Sequence, residues 1–185
     1  MVEQRRPTIF QANEQFDAIL AGREKRAAHQ RDLIRRFGRP LVSFSLNIPG
    51  PDKLSGPWGE VLKAGLEAVV LKMRDQNLDV RYYETGCTAA GHEAFLVVDA
   101  AAAGLKELAM AVELGHPLGR LFDIDVLDEH GAQLSRESGG GEKRACIVCG
   151  APAALCRRDG KHTVEEVLRR FAEMTDAYFQ IDGAA

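Results

Sequence analysis

The segment 121–126, LFDIDV, constrains the fold more than any other part of the sequence. Side chains alternate between the two faces of a strand, so the apolar residues from Phe122 onward share one face. Asp123 and Asp125 then project together from the opposite face. Like charges this close repel each other, so the pattern indicates a strand with one side on a hydrophobic core and a cation on the other side.

Hydrophobic periodicity around this segment predicts an α+β fold. Strands are predicted at 41–48, 79–85, 94–99 and 121–126, and helices at 56–76 and 101–114. Ser55 and Asp99 stand where they could cap these two helices. The small-residue segment TGCTAAGHE is predicted to be a loop between the second and third strands. The resulting βαββαβ order is typical of a ferredoxin-like or nucleotidyltransferase-like core, with helices stacked on one face of a sheet.

Elements are also predicted on both sides of this core. Two N-terminal helices are expected, Asn13–Ala21 and Arg23–Phe37, with Gly22 breaking the pattern between them. After the core, residues 132–136 are expected to return as a strand paired with the aspartate strand. Residues 137–143, ESGGGEK, have the composition of a flexible linker.

The C-terminal part contains a Cys-rich segment followed by a helix. Thr163 and Glu166 form a T-x-x-E capping box, which predicts a last helix through about Tyr178. A length of 185 residues suits a single domain, 1–185. Residues 142–181 are then a candidate for a C-terminal appendage stabilised by zinc.

Four potential metal ligands follow one another within the segment CIVCGAPAALCRRDGKH. They have the spacing C-x2-C-x6-C-x5-H and are Cys146, Cys149, Cys156 and His162. Three thiolates and an imidazole suit a tetrahedral zinc site, and four protein ligands would make that site structural. The alternative is a set of reduced cysteines in a small loop, because these gaps are not those of a common zinc finger.

The net charge is only −3, but residues 23–39 and 136–161 are both rich in Lys and Arg. These stretches indicate an anionic ligand or an acidic partner, although solvated surface charge explains them equally well. No apolar run approaches the ~20 residues that span a membrane, and no secretory signal is recognisable. We therefore expect a cytoplasmic protein with no membrane partner.

Two aspartates on a strand can also indicate a catalytic metal site. Nucleotidyl-transfer enzymes present carboxylates in this way to Mg²⁺, which neutralises charge on a departing pyrophosphate. Arg120 and Arg136 flank the pair in sequence and could clamp a polyphosphate, and His116 is a candidate general base. The alternative is a solvated strand edge beside an ordinary loop histidine.

Three motifs together resemble the holo-citrate lyase synthases, the phosphoribosyl-dephospho-CoA transferases of citrate lyase. They are PLVSFSLNIPGP, HPLGRLFDIDV and RACIVCGAPAALCRRDGKH, and the resemblance runs over roughly residues 20 to 175. It implies a nucleotidyltransferase (EC 2.7.7.61) that takes triphosphoribosyl-dephospho-CoA. The phosphoribosyl-dephospho-CoA group would pass to a serine of the acyl carrier (gamma) subunit of apo-citrate lyase, with release of pyrophosphate.

The resemblance also suggests roles for individual residues. Asp123 and Asp125, in the matching segment, are the expected Mg²⁺ ligands. Arg23 and Arg26 are expected to contact phosphate or the acidic carrier protein. Ser43 and Asn47, near the end of the first strand, are expected to line the pocket. A third carboxylate would have to come from one of two further residues, Glu93 or Asp99.

A second function remains open on the sequence alone, a zinc-containing module that binds nucleic acid or a small molecule. The basic residues near the cysteines are not interleaved with aromatic residues, and the net charge is negative. Proteins that bind single strands usually stack bases on aromatic side chains. We therefore expect no nucleic-acid partner.

Overall fold

The structure of the chain, a computed structural model, describes the backbone of residues 9–136 and 144–182 and the side chains of residues 13–136 and 144–180. In chain order the elements are α1 (Ile9–Phe37), β1 (Leu41–Leu46), α2 (Trp58–Asp75), β2 (Asp79–Thr88), β3 (Gly91–Asp99), α3 (Ala102–Gly115), β4 (Phe122–Leu127), α4 (Ala153–Arg158) and α5 (Val164–Asp182). A 3-10 turn, Gly119–Leu121, precedes β4. The prediction of an α+β chain is confirmed, and the linker predicted at 137–143 lies outside the described residues.

The described strands form an antiparallel sheet in the order β2-β3-β1-β4. From β1 to β4 the elements follow each other as β-α-β-β-α-β. Strands β1 and β3 are central, while β2 and β4 are the edges. The strand expected at 132–136 is wrong, because the pairing with β4 consists of an isolated bridge between Leu127 and Gln133.

Helices cover both faces of this sheet. One face of β1 and β4, with Phe44 and Ile124, is buried with α2 and α3 in the main core. The other face carries a smaller apolar cluster in which Leu33 and Ile34 of α1 pack on Phe95 of β3. Central strands that are buried on both faces need apolar residues at odd and even positions; β3 is apolar from Ala94 to Val98, whereas β1 carries Ser43 and Ser45 on the face toward α1.

The two predicted N-terminal helices are one continuous helix, α1, so the expected break at Gly22 is wrong. A Cβ at Gly22 would lie 2.8 Å from Thr88 Oγ1 and 2.9 Å from the Cβ of Ala90. The missing side chain therefore lets α1 cross close over the turn between β2 and β3. A glycine inside a helix costs about 1 kcal/mol relative to alanine, which this packing can offset.

The loop expected at 85–93 is instead a hairpin. Strand β2 runs on to Thr88 and β3 begins at Gly91, so the turn is only two residues long. Gly91 has φ +110, a conformation that favours glycine. Small residues in this segment thus mark a tight turn and its flanking strand ends.

Neither expected side-chain cap is found at α2 or α3. Helix α2 begins after Pro57, and the backbone N–H of Ser55 donates to Asp52 Oδ1 instead. Helix α3 begins after Ala101, and Asp99 stays in β3. Prolines and alanines can open a helix without a cap when tertiary packing supplies the stability.

The C-terminal helix begins as the sequence predicts. Thr163 N–H donates to Glu166 Oε2 at 2.8 Å, and Glu166 N–H donates to Thr163 Oγ1 at 3.1 Å, which confirms the capping box. Phe171 of α5 is 3% exposed and belongs to the core that α2 and α3 share. Among the helices that the structure describes, none is both long enough and apolar enough to cross a membrane.

Candidate active site and metal-ligand cluster

The two aspartates of β4 lie on the sheet face that α1 covers. Phe122 and Ile124 point into the main core, so Asp123 and Asp125 point the other way and are partly exposed. Across the strand pair, Ser45 is opposite Asp123 and Ser43 is opposite Asp125. The alternation in the sequence is therefore reproduced by the pleat of the strand.

A row of polar side chains crosses the sheet at this point. Ser45 of β1 pairs with Glu93 of β3 as well as with Asp123 of β4, so the three share a row on one face. We call this surface the polar strip, which consists of Ser43, Ser45, Glu93, Asp123 and Asp125. Both serines and Glu93 are under 8% exposed. Buried groups of this kind need hydrogen-bond partners, and α1 supplies them.

Arg26 of α1 lies over the middle of the polar strip. Its Nε donates to Glu93 Oε2 at 2.5 Å and its Nη1 donates to Ser45 Oγ at 3.3 Å. One turn further along α1, Gln30 donates to Ser43 Oγ at 2.8 Å. Nη2 of Arg26 is buried and has no hydrogen-bond partner among the described residues. Arg26 thus keeps an unused donor where α1 covers the polar strip.

A group of cationic side chains lies along the outer edge of β4. Two of its members pair with Glu113 of α3, which is 6% exposed. Glu113 Oε1 accepts from Arg144 Nη2 at 2.6 Å, and Glu113 Oε2 pairs with Arg136. Arg144 Nη1 is also 3.5 Å from Asp123 Oδ1. We call this group the basic cluster, which consists of Lys106, Arg120, Arg136 and Arg144.

Charges in the two groups influence each other. Burial, and after it the charge of Asp123, raises the pKa of Asp125 above its usual value. Burial lowers the pKa of Lys106, and the nearby Asp125 opposes that change. Burial and then the charge of Arg144 lower the pKa of Arg136. The edge of β4 is therefore a crowded region of both signs, where a metal ion and an anion would each relieve repulsion.

Some residues predicted for the site do not meet the aspartates. His116 packs against the rings of Phe122 and Tyr178, at centroid distances of 5.0 Å and 5.2 Å. Its Nδ1 accepts a hydrogen bond from the N–H of Leu118 at 3.1 Å. Since Phe122 points away from Asp123, the imidazole lies on the core side of β4. The structure does not bring His116 to the carboxylates.

Arg23, Asn47 and Asp99 are also outside the polar strip. Arg23 is exposed on α1, and its charge acts on Lys53. Asp99 lies at the far end of β3 and forms ion pairs with Arg39 and Arg81, both at 2.9 Å. Asn47 is exposed, and its N–H donates to Leu121 O beside the 3-10 turn. Of the two candidate third carboxylates, only Glu93 shares the face of the aspartates.

The four predicted metal ligands come together in the C-terminal segment. One ligand atom from each of Cys146, Cys149, Cys156 and His162 lies within 4.8 Å of the others, and we call them the Cys3His cluster. The Sγ atoms of Cys149 and Cys156 are 3.5 Å apart. His162 Nε2 is buried without a hydrogen-bond partner among the described residues, while its Nδ1 is 4.0 Å from Glu166 Oε2. An orphaned imidazole nitrogen among three thiols fits a metal ligand whose other nitrogen faces a carboxylate.

Thiol chemistry in the Cys3His cluster is strongly perturbed. The neighbouring imidazole of His162 is the main cause that lowers the pKa of Cys149 to about 6. Burial, followed by the hydrogen bond with Cys149, raises the pKa of Cys156 to about 11. A cation bound among the four ligands would favour the thiolate form of the cysteines. Four protein ligands leave no open position, so zinc here would be structural.

Sequence reasoning missed three residues that organise the site, namely Glu113, Lys106 and Arg144. Lys106 and Glu113 are seven residues apart and lie on one side of α3, and both are under 7% exposed, whereas Glu107 of the same helix is exposed. A lysine and a glutamate seven residues apart, on the face of an apolar helical pattern, are the sequence signal that could have revealed Lys106 and Glu113. Arg144 stands two residues before Cys146, and its neighbour in space, Asp123, is far away in sequence.

Comparison with known proteins gives one consistent result. The sequence model of the family described as apo-citrate lyase phosphoribosyl-dephospho-CoA transferase matches residues 14–178. A Vibrio cholerae serotype O1 protein named probable apo-citrate lyase phosphoribosyl-dephospho-CoA transferase is 35% identical over 168 residues, which are 88% of this chain and 92% of the relative. A Citrobacter koseri protein with the same name, without "probable", is 36% identical over 152 residues, 82% of this chain and 83% of the relative. An Escherichia coli O139:H28 protein of that name is 35% identical over the same shares.

Proposed function

This chain belongs to the apo-citrate lyase phosphoribosyl-dephospho-CoA transferase family, and from that premise we infer that it transfers the phosphoribosyl-dephospho-CoA group to apo-citrate lyase. The match spans nearly the whole described chain, and three relatives carry the same activity in their names. The zinc-containing module for nucleic acid or a small molecule is not favoured.

We propose that the acceptor is a serine of the acyl carrier (gamma) subunit and that the donor is triphosphoribosyl-dephospho-CoA. The serine oxygen forms a bond to the phosphorus nearest the ribose. The bond from that phosphorus to the pyrophosphate oxygen breaks, and the hydroxyl proton is lost to water. This chemistry requires neutralisation of charge on a leaving pyrophosphate, which is the main task of such sites.

The observation that carries the proposal is the junction of the polar strip with the basic cluster. Asp123 and Asp125 stand side by side, and Arg144 reaches Asp123 from the basic cluster at 3.5 Å. Carboxylates that repel each other beside half-buried arginines are the groups that a metal–polyphosphate complex needs.

Asp123 and Asp125 are the residues that would hold Mg²⁺, and the pKa of Asp125, raised by burial and by Asp123, agrees with a site short of positive charge. Mg²⁺ bound there would supply charge neutralisation at the phosphates. Arg26 would use its unpaired Nη2 to donate a hydrogen bond to triphosphoribosyl-dephospho-CoA. Arg120 and Arg136 would act as the predicted phosphate clamps. Ser43 would line the pocket directly opposite Asp125, on the neighbouring strand.

His116 and Arg23 take other roles in this proposal. His116, between two aromatic rings, supports the packing of α5 on the core near the 3-10 turn. Arg23 and Asn47 are exposed and remain available to the carrier subunit or to distant parts of the donor. The nucleotidyltransferase-like or ferredoxin-like class of the core and a cytoplasmic location remain predictions from the sequence.

A structural zinc ion is proposed for the Cys3His cluster. Its support is the buried, unpartnered His162 Nε2 among three sulfur atoms. Zinc would join the turn at Cys146 and Cys149 to α4 and to the start of α5, and would not take part in the transfer.

The transfer is tested by intact-mass measurement. Apo carrier subunit is incubated with this protein, triphosphoribosyl-dephospho-CoA and Mg²⁺, with matched samples that omit one component each. We expect a mass gain equal to one phosphoribosyl-dephospho-CoA group in the complete sample only, with an equal amount of pyrophosphate. An unchanged carrier mass in the complete sample would contradict the proposal.

A further inference from the structure

Among the ion pairs of the described residues, Arg144 is the one residue that contacts both the polar strip, through Asp123, and Glu113. We propose that Arg144 binds the triphosphate of the donor and that the Cys3His cluster positions it for this contact. The inference rests on the proposed function, which it deepens by assigning a binding residue and a purpose for the metal site.

Two contacts fix the direction of the Arg144 side chain. Nη2 is held by Glu113 Oε1 at 2.6 Å, and Nη1 is directed to Asp123 Oδ1 at 3.5 Å. The side chain is 20% exposed, whereas that of Glu113 is only 4% exposed. One nitrogen is therefore anchored in the protein and the other faces the carboxylate where the metal and the phosphates would meet. A planar guanidinium can hold two such partners at once.

The anchor itself is well fixed. Glu113 Oε1 also accepts the backbone N–H of Ile124 at 2.9 Å, and Glu113 Oε2 pairs with Arg136. Helix α3 and strand β4 thus hold the carboxylate from two sides. A binding group that is held by such supports loses little freedom when the ligand arrives.

The backbone of Arg144 belongs to the hairpin that carries the Cys3His cluster. Arg144 O accepts the N–H of Ala153 at 2.9 Å, and Cys146 N–H donates to Ala151 O at 2.5 Å. Ala145 and Pro152 form an isolated bridge between the same two segments. Cys146 and Cys149 lie within this hairpin, and Cys156 follows it in α4. A metal bound to all four ligands would therefore close the structure on which Arg144 stands.

A second link joins the hairpin to the basic cluster. Arg120 donates a hydrogen bond to Ala145 O, one residue from Arg144. Short two-stranded hairpins are marginally stable on their own in water. Without the metal, the Arg144 backbone would depend on these few hydrogen bonds, and a displacement of about 1 Å at a binding group can cost roughly a hundredfold in rate.

The test uses the full chain and inorganic triphosphate with Mg²⁺, followed by calorimetry. We expect Arg144→Gln to raise the dissociation constant for triphosphate by roughly ten- to a hundredfold, the range for one charge-assisted hydrogen bond. Arg144→Lys recovers only part of the affinity, because a point charge cannot reach Glu113 and a phosphate together. Arg158→Gln is the matched control in the same segment, since Arg158 is exposed and pairs with its neighbour Asp159. Wild-type affinity in Arg144→Gln, or an equal loss in Arg158→Gln, would overturn the proposal.

Kinetics separate binding from a merely structural role. Arg144→Gln should raise KM for the donor while KM for the carrier subunit stays within twofold. An equal rise in both would indicate a general distortion and overturn the assignment. Triphosphate binding can be measured without the carrier subunit. If the wild-type protein bound triphosphate but transferred no group to the carrier, the proposed function would be contradicted, while the role of Arg144 in triphosphate binding would stand.

The metal is tested in the same way. Zinc is removed by a chelator, Mg²⁺ is restored, and triphosphate binding is measured for wild type and Arg144→Gln. We expect metal removal to lower the triphosphate affinity of the wild-type protein to that of Arg144→Gln. The affinity of the variant itself should change less than twofold, because both changes act through the same contact. Equal loss in both proteins, or no loss in wild type, would overturn the positioning role.

Hydrogen exchange gives a readout that does not depend on binding. Metal removal should speed exchange at the N–H groups of Cys146 and Ala153, while the amides of β1 and β4 stay protected. Loss of protection throughout the sheet would mean that the metal supports the whole fold, and it would overturn a specific role at Arg144.

Discussion

The side chain of Glu113 accepts the backbone N–H of Ile124 at 2.9 Å, so a buried carboxylate of α3 caps the outer edge of β4. Phe44 lies on the inner side of Ile124, and the outer N–H would otherwise have no strand to pair with. The same carboxylate holds Arg136 and Arg144. A single acidic side chain therefore connects the edge strand, the aspartates on it and the basic cluster.

Replacement of Glu113 should be costly for stability. Glu113→Ala removes the carboxylate that the Ile124 N–H, Arg136 and Arg144 share, and removal of one partner from a buried ion pair costs about 3–5 kcal/mol. Urea unfolding followed by circular dichroism should show that loss. Glu107→Ala, on the exposed side of the same helix, is the control and should change the free energy of unfolding by less than about 0.5 kcal/mol. A similar small effect for Glu113→Ala would contradict its central role.

The aspartate strand should be required for the reaction and not for the fold. Asp123 is 45% exposed, so Asp123→Asn should leave the unfolding transition almost unchanged. The transfer rate should fall by about two to three orders of magnitude, because electrostatic stabilisation of the leaving pyrophosphate is lost. Pyrophosphate release is the measurement, and Asp32→Asn on α1 is the control. Near-normal turnover in Asp123→Asn would remove the metal-binding role.

Arg26 should have separable effects on stability and on activity. Arg26→Met leaves Glu93 buried without its ion pair, which costs about 3–5 kcal/mol. The double variant Arg26→Met with Glu93→Leu should recover most of that stability, since a buried pair can be replaced by apolar residues of similar volume. Transfer activity should stay low in both variants, because the donor loses Nη2. Thermal unfolding and kcat/KM for the donor check this, and full activity in the double variant would mean that Arg26 only supports the fold.

Purified protein should contain about one zinc ion per chain, since the Cys3His cluster supplies four ligands. Elemental analysis measures the content. Cys146→Ser and His162→Ala should lower the zinc content and the melting temperature, whereas Cys87→Ser should change neither, because Cys87 is exposed on β2. Zinc content that is unaffected by Cys146→Ser would contradict the site.

The turn after β4 should make stability depend on pH. Asp128 Oδ1 accepts the N–H of Ala132 and the N–H of His130. Both hydrogen bonds lower the pKa of Asp128, and the bond from Ala132 has the larger effect. A carboxyl with a lowered pKa in the folded state stabilises fully above its unfolded pKa of about 4 and loses that effect as the pH falls below it. Wild type should therefore be more stable than Asp128→Ala at pH 6, and the difference should shrink toward pH 3. Urea midpoints across this range test it, and a difference that is constant with pH would contradict the role of the carboxylate.

Local patterns carried most of the correct predictions. Alternation in LFDIDV predicted the two faces of β4, and the T-x-x-E box predicted the start of α5. The spacing of three cysteines and His162 predicted a cluster that the structure brings together. These features depend on residues that are close in sequence, where the strand period, the helix period and short loops dictate geometry.

Errors arose where a local signal met a distant neighbour. Gly22 was read as a helix break, yet it lies inside α1 because the turn at Thr88 and Ala90 requires a residue without a side chain there. Asp99 was read as a cap, yet it binds Arg39 and Arg81. His116 stands shortly before the aspartates in sequence. The pleat of β4, however, puts Phe122, and His116 that packs on it, on the opposite face of the sheet from the aspartates.

The sequence by itself determined the strand with two faces, the order of the elements from β1 to β4, the ligand spacing of the cysteines and the family resemblance. Only the tertiary structure decided that Glu113, Asp123 and Arg144 meet, that Arg26 lies over the polar strip and that His116 does not join it. The physical reason is range. Backbone periodicity and capping act over a few residues, whereas Glu113 and Arg144 are 31 positions apart, and their contact exists only because α3 packs on the edge of β4.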